Sequence, residues 1–373
     1  MTAPRFLQIH TLTSYTAALL NRDDSGLAKR LPYGGVLRTR ISSQCLKRHW
    51  RLAEDTHALH AIDGAEAAFR SRELVTKKVI EPLKGMITDD VIAAIEPEFQ
   101  MALYGDKGTT KKGRQTLLFG ETELKWLASE AARISAESKG DAKAAKAAAE
   151  DWRKGMKGSL AAMKAAAMLP GGLTAALFGR MVTSDPEANI TAPVHVAHAI
   201  TVHEEESESD YFTAVDDLSG DEPGADTIQE TELTSGLFYG YVVVDLPGLL
   251  GNLGGDAVLA GQVLHNLIYL IAEVTPGAKL GSTAPYSRAG LLLLEAGDRQ
   301  PRSLSEAFRS PCAPHLGPAA GALADQLARF DAAYATGEDR RVLSLANTPI
   351  PGASGGSLND LALWAQTLPG QLS

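Results

Sequence analysis

The sequence predicts an α+β protein: a ferredoxin-like palm of sheet and helix, interrupted by a helical insertion and extended by a β-hairpin arm. Three observations predict it. Outside two atypical stretches the patterns run strand, helix, strand, strand, helix, strand, the split β-α-β order. Between residues 61 and 177 the composition shifts to helix formers, above all the Ala-, Lys- and Glu-rich residues 124–168. Residues 201–232 carry twelve acids and no Lys or Arg, interrupted by Tyr211, Phe212 and Val215, with the turn cluster SGDEPG at 219–224; a hairpin-like arm is the economical reading and acidic disorder the alternative. The expected layout is palm in residues 1–60, 181–202 and 232–373, helical insertion in 61–180 and arm in 203–231.

Taken in order, Phe6, Gln8 and His10 alternate with Leu7, Ile9 and Thr11, a first strand. Residues 13–34 form a long loop with NRDD, PYGG and the cations Arg22, Lys29 and Arg30; a loop of that length in a compact domain is usually functional. A short strand over 37–41 then turns at Ser42 and Ser43 into a helix. Gln44, Lys47, Arg48 and Arg51 fall at i, i+3, i+4 and i+7 on one face of it, with Leu46, Trp50 and Ala53 opposite. With Ser42 or Ser43 as the cap, hydroxyls, free amides and cationic side chains converge on the positive end of the helix dipole. That pattern describes a phosphate cradle, and it equally describes a solvated basic helix face.

The insertion reads as all-α, and its lysines, including Lys139, Lys143, Lys146, Lys154 and Lys157, alternate with acids as on an exposed helix. GDKGTTKKGR at 105–114 has the G-x-x-x-x-G spacing from Gly108, but Arg114 and Gln115 stand where a phosphate-binding Lys and a magnesium-binding hydroxyl belong, so it reads as a mobile basic loop. Residues 170–181 return to the main fold and 192–203 are strand-like. Residues 233–246 are strong β, and Leu259, Val263, Leu267, Leu270 and Val274 form a core-facing helical stripe. A last strand at 290–295 precedes a tail rich in Pro, Gly and Ala.

The 373 residues are 45% hydrophobic and 22% charged, the profile of an ordinary globular protein. Cys45 and Cys312 lie far apart, which fits a reducing, cytoplasmic compartment and no zinc site. Residues 257–274 are interrupted by Gln262, His265 and Asn266, too polar for a membrane span, and no signal peptide is expected. The net charge of −9 argues against indiscriminate nucleic-acid affinity, but residues 22–51 hold eight Lys and Arg against Asp23 and Asp24. Such separation suits local grip on a polyanion beneath a repelling surface.

Catalytic alternatives are thin. His195 and His198 fall on opposite faces of a strand, and His57 and His60 share a helix face without an HExxH pattern. Asp210, Asp216 and Asp217 offer carboxylates for a divalent ion in phosphodiester cleavage, but a solvated arm is the simpler reading. No metal and no cofactor is expected.

The blocks FLQIHTL (6–12), LLNRDD (19–24), GGVLRTRISSQCLKR (34–48), HAITVH (198–203), YFTAVDDL (211–218), TSGLFYGYV (234–242) and VTPGAKL (274–280) resemble, in order, the CasC family. That family supplies the backbone subunit of the type I-E CRISPR surveillance complex Cascade. The resemblance covers most of the chain, weakening over 61–177 and after 297. It implies an RRM-like palm with helical fingers and a hairpin thumb, and a non-catalytic protein that binds crRNA. It implies RNA-backbone contacts at Arg22, Lys29, Arg40, Ser42, Gln44, Lys47 and Arg51, with Arg48 on the same basic face, and an apolar contact at Met181 beside a kinked base. The implied partners are further copies of the chain in a head-to-tail filament, other Cascade subunits, and target DNA met through the guide heteroduplex. No K/R-G-F/Y-G/A-F motif is present, so base stacking on the sheet is not expected. The rival is a metal-dependent ribonuclease using Asp23 or Asp24, as in related backbone proteins that cut RNA.

Overall fold

Phe6 to Ala18 form β1, around which the larger sheet is built. The computed structural model describes residues 3–155, 171–182, 186–215 and 225–372. After β1 come β2 (Arg30–Tyr33), β3 (Val36–Ile41), α1 (Ser43–Arg51), β4 (Ala68–Ser71), α2 (Asp89–Tyr104), β5 (Leu117–Gly120), α3 (Glu121–Glu137), α4 (Ala142–Gly155) and α5 (Gly172–Phe178). Then follow β6 (Val194–Val196), β7 (Ala199–Thr201), β8 (Glu206–Val215), β9 (Ala225–Asp245), α6 (Leu246–Asn252), α7 (Ala257–Glu273) and α8 (Leu280–Thr283). The chain closes with β10 (Ala289–Gly297), α9 (Leu316–Tyr334), β11 (Asp339–Ser344), β12 (Ala353–Gly355) and α10 (Leu358–Thr367). Residues 1–59, 195–246 and 261–373 make one unit, and residues 60–194 and 247–260 a second.

The first unit holds a ten-stranded sheet in the order β12-β11-β10-β1-β9-β7-β3-β2, with β6 and β8 also on β9. Only β11 and β12 pair in parallel among the registered ladders, so the α+β class holds with a mixed sheet. Every residue from Phe6 to Thr13 is buried, because both faces of β1 are covered. On one face Leu12, Leu237, Tyr239, Leu291 and Leu293 pack with Ala319, Ala320, Leu323 and Leu327 of α9. On the other, Tyr15, Ile41, Ala199 and Phe238 receive Cys45 and Leu46 of α1, and Trp50 is 3% exposed. Val263, Leu267 and Leu270 of α7 are buried, so that stripe is core.

Gln8 and His10 are buried polar residues made tolerable by partners. Glu295, fully buried, accepts from His10 Nε2 at 3.0 Å, from Arg302 Nη1 and Nη2 at 2.8 and 2.9 Å, and from Arg340 Nε at 2.7 Å. Facing the carboxylate fixes the tautomer: Nε2 carries the proton, and Nδ1 accepts from the Tyr239 hydroxyl at 2.9 Å. Arg340 continues to Asp331 through two bonds of 2.6 Å, which ties β11 to α9. The expected Pro-, Gly- and Ala-rich tail is therefore structured. Ala319, Ala320, Leu323, Ala324 and Leu327 recur at helical spacing, and Pro318 sits in the first turn, where a missing N–H costs little.

The second unit corrects the all-α reading of the insertion. β4 and β5 form an antiparallel ribbon, and the LLFG of β5 is buried throughout and too short to show a period. Residues 171–181 do not return to the larger sheet: α5 lies in the second unit against β4 and β5, and residue 170 lies outside the described residues. Glu123 holds that end of the unit: its carboxylate accepts from Arg180 Nη1 at 2.6 Å and from the amides of Gly120 and Gly171 at 2.8 and 2.9 Å. The 105–114 loop is likewise not a loose one. Buried Arg114 donates to the carbonyls of Gly108, Thr109 and Arg72, closing the loop on itself. Residues 192–203 break into β6 and β7 rather than forming one strand. Among the described residues no single helix is long and apolar enough to cross a membrane.

Candidate nucleic-acid interface

β3 delivers the chain to α1 through Ser42, whose Oγ accepts from the Cys45 amide at 3.3 Å as the helix N-cap. The Ser42 amide is held in turn by Asn21 Oδ1 at 2.8 Å, so NRDD and the start of α1 are one piece of structure. Leu46 and Trp50 turn inward while Gln44 and Arg48 are exposed and Lys47 and Arg51 half-buried. Arg48, His49 and Arg51 occupy the last turn, where cations complement the helix dipole. The N-terminal end gathers the rest. Arg40 Nη1 donates to His198 Nδ1 at 3.1 Å, and the Ser43 amide approaches the same atom at 3.4 Å. Burial, then the charges of Arg40, Lys29 and Lys47, hold the His198 imidazole below its ordinary range, so it is neutral at pH 7 and accepts. Arg40 thus bonds the imidazole, and Lys29 and Lys47 lie near enough for their charges to act on it, at a helix N-terminus beside Ser42, Ser43 and Gln44.

Lys29 reaches this cluster through backbone pairing: its amide bonds the Asn21 carbonyl at 2.9 Å and its carbonyl accepts from the Arg40 amide at 2.8 Å. Arg22 is exposed on the same loop, one residue beyond Asn21. Met181 is 73% exposed but belongs to the second unit. His198, read from sequence only as a poor metal ligand, is the acceptor at the heart of the cluster. Its signal was the HAITVH block, not its chemistry.

Two of the eight cations leave the patch. Arg38 is fully buried, donating to the carbonyls of Tyr33 at 3.3 Å, Thr201 at 3.1 Å and Phe308 at 2.9 Å. It pins the β2–β3 hairpin, whose tip needs glycine: Gly34 has φ +64°, and a Cβ there would sit 1.6 Å from the Arg309 oxygen. Arg30 is ion-paired with Glu205 and Glu232.

The catalytic suspects are not gathered into one site. Asp23 Oδ1 accepts from the amides of Ser25 at 2.9 Å and Leu27 at 3.1 Å, shaping a turn. His57 lies in a turn stacked on Tyr269 at 3.6 Å and His60 in a separate 3-10 turn, so they share no helix face. Asp210 is exposed on β8; Asp216, Asp217 and Lys157 lie outside the described residues. Among the described residues no group of three His, Cys, Asp or Glu is arranged to hold a metal ion. In α4, Lys146 pairs with Glu150 at 4.0 Å and Lys154 with Asp151 at 3.5 Å, as on a solvated helix.

Residues 7–364 match the family of CT1975-like proteins. The chain belongs to that family. No curated protein matches this CT1975-like chain. Among solved structures it is similar to a chain of a "CRISPR RNA-guided surveillance complex, pre-nicking", with TM-score 0.76 and 23% identity over 96% of this chain and 100% of that one. It is also similar to a chain of a "CRISPR RNA-guided surveillance complex", with TM-score 0.60 and 21% identity over 96% of this chain and 99% of that one. The shared property is the fold.

Proposed function

We propose that this CT1975-like protein is the non-catalytic backbone subunit of a type I-E CRISPR surveillance complex, binding the sugar-phosphate of crRNA. The observation that carries the reading is the Arg40, Lys29 and Lys47 cluster around His198 at the N-terminus of α1. The amides of Ser42, Ser43 and Cys45 are taken by Asn21, His198 and the Ser42 hydroxyl, so it is the cations there that contact phosphate without reading bases, which suits a protein that must accept any guide. Arg22, Ser42, Gln44, Arg48 and Arg51 extend the contact, and Met181 supplies an apolar contact to a displaced base. The split β-α-β palm is supported by the order β10-β1-β9-β7, with α1 on the connection from β1 to β7 and α7 on that from β9 to β10.

Copies of the chain assemble head to tail along the guide, each acidic arm covering the guide on its neighbour sterically, with other Cascade subunits at the ends. Target DNA pairs with the exposed guide segments, and the protein recognises the heteroduplex by shape. Co-expression with a guide tests this directly by native mass spectrometry. Particles of several copies per RNA are expected with guide, and monomer without it. Equal assembly in both cases would make the protein a scaffold that does not need RNA.

A further inference from the structure

Arg30 is one of the eight cations of the N-terminal segment, yet its guanidinium is engaged within the protein. Nε donates to Glu205 Oε1 at 2.5 Å, Nη2 donates to Glu232 Oε1, and Nη1 donates to the Ala28 carbonyl at 3.3 Å. The other oxygen of Glu232 accepts the Ala28 amide at 2.6 Å. Glu205 directly precedes β8 and Glu232 lies in β9, so one guanidinium joins both legs of the arm, at their base, to the end of the loop that carries Arg22 and Lys29. The three side chains are only 23%, 12% and 9% exposed, which makes the cluster more than a surface pair. β8 has β9 as its ladder partner, so the direction in which the arm leaves the sheet depends on what holds its base. The charge count is uneven. Two carboxylates meet one guanidinium, and Glu205 Oε2 is already buried with no partner, so removing Arg30 leaves two partly buried carboxylates repelling each other at the root of the arm.

We propose that Arg30 is a positioning residue that straps the hairpin arm to the phosphate loop, so that the set of the arm over a bound guide and the grip of the loop are fixed by one ion cluster. The functional half of this rests on the guide-binding reading above; the mechanical half does not. Hydrogen exchange on the RNA-free full chain tests the mechanical half. Arg30→Met is expected to speed exchange of amides in residues 206–210 and 230–235 on the order of tenfold while leaving α1 unchanged. Arg30→Glu does the same, and the charge swap Arg30→Glu with Glu232→Arg brings exchange back toward the unmodified protein. Unchanged exchange at the arm base, or a swap no better than Arg30→Glu alone, overturns the strap.

Titration with a single-stranded guide RNA tests the functional half. With Arg30→Met, nuclease cutting of the RNA beneath the arm increases, while the slope of log affinity against log salt stays as it was. If Arg30 were itself a phosphate contact, the slope would instead become shallower by about 0.7, and that result contradicts the proposal. Failure of the underlying reading looks different: the unmodified chain would not bind the guide at all, and exchange in the RNA-free protein would still decide the strap.

Discussion

Lys47→Glu combined with Arg51→Glu is expected to lower guide-RNA affinity by at least about a hundredfold at physiological salt, since two attractions to phosphate become two repulsions. The milder pair Lys47→Gln and Arg51→Gln removes the attractions only; its salt slope is expected to fall by about 1.4, about 0.7 for each lost contact. Fold stability separates this from general damage. Both side chains are partly exposed on α1, and the inward face, Leu46 and Trp50, is untouched. The charge reversal at Arg51 opposes the helix dipole in the last turn and costs roughly 0.3–1 kcal/mol, far less than the loss in binding. Filter binding over a salt series, with urea unfolding of the same variants, measures both.

The largest expected effect on stability is at Glu295, not in the interface. Glu295→Ala leaves His10, Arg302 and part of Arg340 without their common acceptor in the interior, which costs about 3–5 kcal/mol. The pH dependence follows from two groups. Burial pushes the Glu295 carboxyl up, but hydrogen bonds from His10 and Arg302 and their charges outweigh it and hold the carboxyl well below the usual 4.5. A depressed carboxyl contributes stability that is complete above the ordinary Glu range and is lost as pH falls from about 4.5 toward the folded value. Burial also lowers the His10 imidazole from 6.5, so the unfolded chain takes up that proton first and stability declines from about pH 6.5 downward. Urea unfolding from pH 7 to pH 3 is expected to show both declines in the unmodified protein, and the gap to Glu295→Ala narrowing below about pH 4.5.

The helix at the interface was legible because its information is local. A serine cap, an apolar pair at Leu46 and Trp50, and cations at helical spacing lie within ten residues and appear in the structure as read, whereas Ala53, read on the same apolar face, lies beyond the end of α1. Arg38 and Arg40 show where local reading ends. They share a face of β3 by strand alternation, and nothing nearby separates them. What does is the turn ending at Phe308, 270 residues on, whose carbonyl accepts from Arg38 and buries it, while Arg40 bonds His198. Arg30, counted only as one of the loop cations, has carboxylate partners that come from the arm and that no local pattern shows. Gln8 and His10 look like the polar side of a half-exposed strand until Glu295 and α9 close over them. The β5 strand was missed because four consecutive buried residues, LLFG, carry no alternation.

On the proposed function, guide phosphates lie against the N-terminus of α1 and the loop before it. Photo-crosslinking of guide RNAs carrying 4-thiouridine, followed by peptide mass spectrometry of the assembled particle, tests it most directly. The expected result is crosslinks to peptides spanning residues 22–29 and 40–51, in the same places for guides of unrelated sequence. Crosslinks confined to other segments, with none on residues 40–51, would contradict it.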